Sequence, residues 1–181
     1  MTVPVGSNEL EKEILRLLED LPLEVGIPEN VRQLLLQAGR PLAMKTAHDF
    51  LASADDKKKS AGLEIAMLVD SEKNINLILP LLEEANWLIR WQVMYSVTRT
   101  KRFLDDDELI GLVVKTLLDD PSPEVRVEVA DALGYCKATP NVILALEYAR
   151  DHDFEFDRDG YRASTIAKES IKRIQERQND S

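Results

Sequence analysis

Leu117-Leu-Asp-Asp-Pro-Ser-Pro-Glu-Val-Arg-Val-Glu-Val-Ala-Asp-Ala-Leu-Gly134 holds the end of one helix, a turn at Asp120-Pro121 and the start of a second helix. Ser122 offers a cap, and Pro123 sits at the first helical position, where its missing N–H is not needed. The arginine of this stretch recurs. Trp87-Leu-Ile-Arg90-Trp91, Pro123-Glu-Val-Arg126-Val127 and Asp159-Gly-Tyr-Arg162-Ala163 set arginines 36 residues apart, at 90, 126 and 162. Glu84 precedes Arg90, and Asp120 precedes Arg126, by six positions. A fixed period of roughly 20–50 residues marks a stacked-repeat architecture, in which no unit can bury its apolar face alone.

The same reading extends outward as helices. Apolar residues recur at helical spacing almost everywhere, and no segment alternates over a strand's length. The spacing predicts a first helix over Asn8–Asp20, a loop holding Pro22, Gly26 and Pro28, and a short helix through Val31, Leu34 and Leu35 stopped by Gly39 and Pro41. Further helices are expected over Leu42–Ala52, Lys57–Val69, Asn74–Glu84 and Asn86–Arg99, with a kink at Pro80, which cannot donate to the Asn76 carbonyl. The run Asp105-Asp106-Asp107-Glu108 sets acids at the positive end of a helix dipole, ahead of Leu109–Leu118. Thr139-Pro140 repeats the cap-and-proline start, and a last helix is expected over about Tyr161–Arg177. Ten predicted helices make five antiparallel pairs, at about 8–38, 41–69, 74–99, 105–136 and 140–177, in one domain over 8–177. Residues 1–7 are expected to be disordered and 178–181 to fray.

The chain resembles HEAT-repeat proteins, particularly the bacterial HEAT-like kind found in phycobilisome-lyase relatives. The Asp-Pro turn, the Val-Arg pair and the Ala-Leu-Gly of residues 117–134 carry the likeness. It is strong over Leu104–Arg150, fair over Ile75–Arg102 and weak before Leu63. The last unit departs from the pattern, because Ile171 answers Leu133 at 38 residues, not 36. The resemblance implies an all-α, right-handed solenoid, a superhelix of about five antiparallel pairs whose second helices line a concave face. It also implies a ladder of turn acid and second-helix arginine, with Glu84 paired to Arg90 and Asp120 to Arg126, and with Arg162 as the third rung. A guanidinium suits such cross-linking because it satisfies several acceptors in a fixed plane.

Composition narrows the function. The formal charge is −10, from 33 acidic and 23 basic residues, which opposes nucleic-acid binding and favours a basic or neutral protein partner. Lys57-Lys58-Lys59 and Arg99-Thr-Lys101-Arg102 read as solvated helix ends. No apolar run approaches the ~20 residues needed to cross a bilayer, the start lacks a signal-peptide pattern, and Cys136 is a lone cysteine. These features lead to the expectation of a cytoplasmic protein with no membrane insertion and no internal disulfide.

Within Asn86–Arg99, Trp87, Trp91 and Tyr95 recur every four residues, nearly opposite the core stripe of Ile89, Val93 and Val97. Two placements stand open: rings facing the concave groove as binding anchors, or rings packed sideways against Met67 and Val127. The candidate partner-binding residues are Trp87, Trp91, Gln92, Tyr95, Glu128 and Asp131, the outward positions of two neighbouring second helices.

Chemistry finds little footing. The loop Asp151–Gly160 invites a calcium reading, but an EF-hand frame begun at Glu155 puts Ile166 at its twelfth position, where a bidentate Glu is needed. An acidic turn capping the last helix is expected instead, with no metal. His48 and His152 lie on different units, the His-Glu motifs of HEAT-repeat iron hydroxylases are absent, and no phosphate loop or nucleophile elbow occurs. Cys136 reads as a small core residue. Trp91 and Asp131 imitate the concave Trp and Asp of HEAT-like DNA glycosylases, though the acidic charge removes the phosphate grip. The expectation is a non-catalytic assembly scaffold without a cofactor, docking a partner helix or peptide. An accessory or chaperone role in phycobilin attachment or removal is the alternative that the resemblance allows.

Overall fold

Capping side chains and prolines set most of the helix starts, and the apolar stripes behind them decide what each helix packs on. The computed structural model describes residues 7–19 and 26–180. It is all-helical apart from turns and one isolated antiparallel bridge, Phe156 to Arg162, among the described residues. No helix among these residues is long and apolar enough to cross a membrane. The chain divides into two compact units, Met1–Leu82 and Glu83–Ser181.

The first unit begins with α1 (Ser7–Glu19), which turns Ile14 and Leu18 inward. The expected disorder of residues 1–7 lies outside the described residues except for Ser7, and so does most of the predicted loop. Helix α2 (Glu29–Ala38) buries Val31 and Leu35, and α3 (Arg40–Leu51) follows after a single residue. That residue is Gly39, at φ +86°, a left-handed conformation that an L side chain rarely adopts. Pro41 therefore does not terminate α2 but sits in the first turn of α3, where no donor is required. Helix α4 (Asp56–Asp70) is capped by Asp55, whose carboxylate accepts from the Lys57 amide at 2.8 Å. It lies tightly on α3: a Cβ at Gly62 would stand 2.9 Å from both Leu51 N and Phe50 Cβ.

The helix expected over 74–84 does not stay α-helical. Helix α5 (Ile75–Ile78) gives way to a 3₁₀ turn over Leu79–Glu83, tightening where Pro80 removes a donor rather than merely kinking. Asn74, buried ahead of α5, donates through Nδ2 to the Ala66 carbonyl at 2.7 Å.

The second unit starts with α6 (Trp87–Thr98), capped by Asn86, which accepts from the Leu88 amide at 3.0 Å. The short α7 (Arg102–Asp105) is absent from the sequence-based expectation and raises the count from ten to eleven α-helices among the described residues. Asp106 caps α8 (Asp107–Asp119) by accepting from the amides of Glu108 and Leu109. Its carboxyl is held below the usual range, first by the Arg102 guanidinium and then by these amides. Helices α9 (Pro123–Leu133), α10 (Pro140–His152) and α11 (Ala163–Asn179) follow, α10 capped by the Thr139 hydroxyl. Helix α11 runs two residues past the predicted end at 177.

Two layers result. Helices α6, α9 and α11 lie side by side in one row, α8 and α10 in the other, and α8 packs on α9 as α10 packs on α11. Val93, Val97, Val113, Leu117, Val129 and Leu133 fill the space between, each at most 2% exposed. Each such side chain stabilises the unit by roughly 1.5–3 kcal/mol relative to leaving it in water. Gly134 and Ser170 set the spacing of α9 and α11. A Cβ at Gly134 would stand 2.7 Å from Ser170 Oγ, which donates to the Ala130 carbonyl at 2.8 Å.

Candidate functional site

Two of the three evenly spaced arginines, Arg90 and Arg126, form clamps, but the partners differ from the expected ones. Arg90 is buried on α6. Its Nε and one terminal nitrogen donate to the two Asp120 carboxylate oxygens at 2.8 and 3.0 Å. The other terminal nitrogen donates to the backbone carbonyls of Glu84 and Ala85 at 2.8 and 3.0 Å. Arg126 repeats the arrangement one step on. It donates to the Asp120 carbonyl at 2.8 Å, to both Asp153 oxygens and to Glu155 Oε2 at 2.6 Å. The expected pairings of Glu84 with Arg90 and Asp120 with Arg126 thus run through main-chain carbonyls, whereas each guanidinium grips carboxylates from the following turn. The Asp120 carboxylate raises the Arg90 pKa, and the Asp153 carboxylate raises that of Arg126. Burial acts the other way in both, because removing water penalises charge.

Arg162 is not a third rung. It is the N-cap residue of α11, after a long connection, and its guanidinium lies 3.8 Å from the Phe156 ring centroid. Its Nε is buried without a hydrogen-bond partner. The Asp153–Arg162 connection is longer than the α8–α9 turn, so equal sequence spacing does not bring Arg162 to an equivalent place.

The aromatic stripe on α6 is neither fully buried nor free. Trp87 and Trp91 are half-buried and Tyr95 is 40% exposed. Trp91 stacks on Tyr95 with centroids 5.0 Å apart, and the Arg99 guanidinium lies 3.3 Å from the Tyr95 centroid. Arg99 also donates to Glu128 Oε1 at 2.7 Å, so Trp91, Tyr95 and Glu128 form one cluster across α6 and α9. Gln92 is half-buried on the same helix. Asp131 is engaged on the other side of α9: Arg173 of α11 donates to Asp131 Oδ1 at 3.1 Å and lies 4.0 Å from the Tyr135 ring centroid. Trp87 lies under Arg158, at 4.4 Å.

Three arginines therefore cover aromatic faces of this row, and sequence reasoning missed all three as members of the surface. Arg99 follows Tyr95 by one helical turn, a spacing visible in the sequence. Arg158 and Arg173 reach their rings only through tertiary packing.

The other row carries a second feature absent from the sequence-based expectation. Val114, Leu118, Leu144, Ala145 and Tyr148 line an open apolar groove of about 460 Å³ between α8 and α10. Leu118, Leu144 and Tyr148 are all exposed there.

Asp151, Asp153, Glu155 and Asp157 of the acidic loop spend their carboxylates internally. Asp151 pairs with Arg150, Asp153 and Glu155 hold Arg126, and Asp157 Oδ1 accepts from the amides of Asp159 and Tyr161 at 3.0 and 2.7 Å. Contrary to the expected acidic cap, no side-chain cap bond is made at the N-terminus of α11. Among the described residues no group of three or more His, Cys, Asp or Glu side chains is placed to hold a metal ion. His152 stacks on Tyr148, its ring 4.4 Å away, and Nδ1 lies 2.9 Å from the Tyr148 carbonyl oxygen. Burial pushes the Cys136 thiol up to about 11, so it stays protonated and unreactive near neutrality.

No family model, curated protein or solved structure matches this chain.

Proposed function

We propose that this protein is a HEAT-like α-solenoid that works as a non-catalytic interaction module in the cytoplasm. It docks a partner helix or peptide on the row formed by α6, α9 and α11. One observation supports the reading above the others: Trp91, Tyr95, Arg99 and Glu128 join two neighbouring helices in a half-exposed cluster of rings and charges. Large amphipathic rings ringed by polar groups are the usual anchors of protein interfaces, because they bury much area at little entropic cost. The net charge of −10 favours a basic partner by long-range attraction.

The test uses a wild-type chain and a Trp87→Ala/Trp91→Ala double variant, each cross-linked to its neighbours in cells and compared by mass spectrometry. A dilution series of amphipathic Leu/Lys and Leu/Glu helical peptides complements it. The double variant is expected to lose its cross-linked partner and at least tenfold in Leu/Lys peptide affinity, since anchors commonly contribute 2 kcal/mol or more. Its far-ultraviolet circular dichroism should remain near wild type. A variant that stays folded and keeps both interactions sinks the docking reading, and one that unfolds shows the rings to be core.

A further inference from the structure

We propose that the groove between α8 and α10 is a second docking surface. Its occupant is an amphipathic partner helix with a stripe of aliphatic side chains and a lysine or arginine beside them. The groove lies on the other row from α6, α9 and α11, so it adds a partner to the docking reading and does not depend on it.

The apolar lining is laid out for a helix. Val114 and Leu118 stand four residues apart on α8, and Leu144 and Tyr148 four apart on α10, so each pair shares one helix face. The two stripes border one hollow of about 460 Å³, where Leu118, Leu144 and Tyr148 are 44%, 62% and 55% exposed. Leu118 and Tyr148 also border a second hollow of about 270 Å³ that reaches Phe154, so the lining continues past the end of α10. Single exposed leucines are ordinary, but apolar side chains gathered along a trough mark an interaction surface. Each helix has 13 residues, about 20 Å of length, which gives room for about three turns of a partner helix laid between them. Such a helix inserts a ridge of aliphatic residues spaced three or four apart.

Charge selects the sign of that helix. Helix α8 carries Asp107, Glu108 and Asp119 against one base, Lys115, and α10 carries Glu147 and Asp151 against Arg150. Arg150 is taken by Asp151, donating to its two oxygens at 2.7 and 2.8 Å. Arg126, which borders the second hollow, is held by Asp153 and Glu155. Asp119 lines the groove itself, and among the described residues no hydrogen bond or ion pair engages its carboxylate. Leu117 and Leu118 border the same hollow as Ala149 and His152, so the C-terminal ends of α8 and α10 lie together near Asp119. Two helix C-termini and a carboxylate make that end of the groove negative, and each of them favours a cation. A lysine or arginine next to the partner's aliphatic stripe meets this end while the stripe fills the trough.

The experiment titrates the full chain with a helical Leu/Lys peptide holding one photo-activatable leucine analogue, irradiates the mixture and maps the cross-links by mass spectrometry. Cross-links on α8 and α10 are expected, and their yield against peptide concentration gives the affinity of this groove alone. Leu118→Ser/Leu144→Ser should weaken it roughly tenfold, as removal of interface anchors does, with circular dichroism near wild type because both side chains are exposed. Asp119→Asn should weaken it roughly two- to fivefold, and should not affect a Leu/Gln peptide. Trp87→Ala/Trp91→Ala should leave it unchanged. Cross-links confined to α6, α9 and α11 overturn the groove and leave the docking reading intact. Cross-links on α8 and α10 that persist unchanged in Leu118→Ser/Leu144→Ser overturn it as well. Equal labelling by a Leu/Glu peptide overturns the basic occupant. A chain that sediments as a dimer, and as a monomer once Leu118 and Leu144 are replaced, assigns the face to a second copy instead. A Leu/Lys peptide that labels neither row overturns both readings.

Discussion

In Met1–Leu82, helices α3 and α4 cross where Gly62 leaves no room for a Cβ, which would stand 2.9 Å from Phe50 Cβ and from Leu51 N. In Glu83–Ser181, the turns are joined by Arg90 and Arg126, buried cations that link carbonyls and carboxylates from successive connections. Both devices bring helices close, but they constrain different things. A glycine crossing sets how near two helices lie and leaves their slide along each other to the surrounding side chains. A guanidinium with several directed donors fixes distance, slide and rotation at once, because its acceptors must lie in its plane. Trp87, Trp91 and Tyr95 stand on the row held in this second way. Groups that act together across α6 and α9 gain from supports locked by directed bonds.

The most damaging way to break this contrast is Arg90→Ala. It removes both guanidinium donors from Asp120, whose side chain is 6% exposed and keeps only the Ser122 amide, and the donor to two turn carbonyls. A loss of about 3–5 kcal/mol is expected, as for other buried pairs deprived of one partner. Urea unfolding measures it, and hydrogen exchange should place the loosening in α6, α9 and the turns between. Exchange that rises equally in α3 and α4 would dissolve the distinction between the two devices. Arg90→Met with Asp120→Leu should recover part of the loss, since an apolar pair leaves no stranded charge, although the Glu84 and Ala85 carbonyls and the Ser122 amide still lose their side-chain partner.

Gly62→Val probes the other device and should cost about 1–3 kcal/mol, the range for overpacked cores. The atoms it would meet include the Leu51 amide nitrogen and the Ala47 carbonyl, which cannot rotate away as a flexible side chain could. Thermal unfolding reads the effect; a variant as stable as wild type would show that α3 and α4 slide apart freely.

The mildest test needs no substitution and reports on the second unit through Cys136. Its thiol ionises at about 11 in the fold, raised by burial above the ordinary thiol value near 9. Between these values the unfolded chain holds fewer protons than the folded one, so stability falls as pH rises from about 9 towards 11 and is fully present below 9. Urea midpoints from pH 7 to 10.5, compared with those of Cys136→Ala, isolate the contribution. A decline that the alanine variant shares in full would assign it to other groups.

Several features were legible early because they are local. Ile89, Val93 and Val97 recur at helical spacing and are all completely buried. Asp106 and Thr139 stand ahead of their helices and accept from amides two or three residues on. The positions of Arg90 and Arg126 were legible too, but their carboxylate partners were not. Arg90 bonds Asp120, 30 residues away, and Arg126 bonds Asp153 and Glu155, 27 and 29 residues away. A recurring spacing marks equivalent places along a chain and does not tell which neighbouring turn faces each one. Arg162 keeps the spacing and still lies over Phe156, because the preceding connection is longer.

The sequence by itself determined the helical class, most helix starts and the inward faces, since a helix is closed by groups four residues apart and a cap by groups two or three apart. Only the tertiary structure decided which carboxylate each buried arginine holds and that Arg158 covers Trp87. Those outcomes depend on side chains meeting across tens of residues, where packing of whole helices sets the distance.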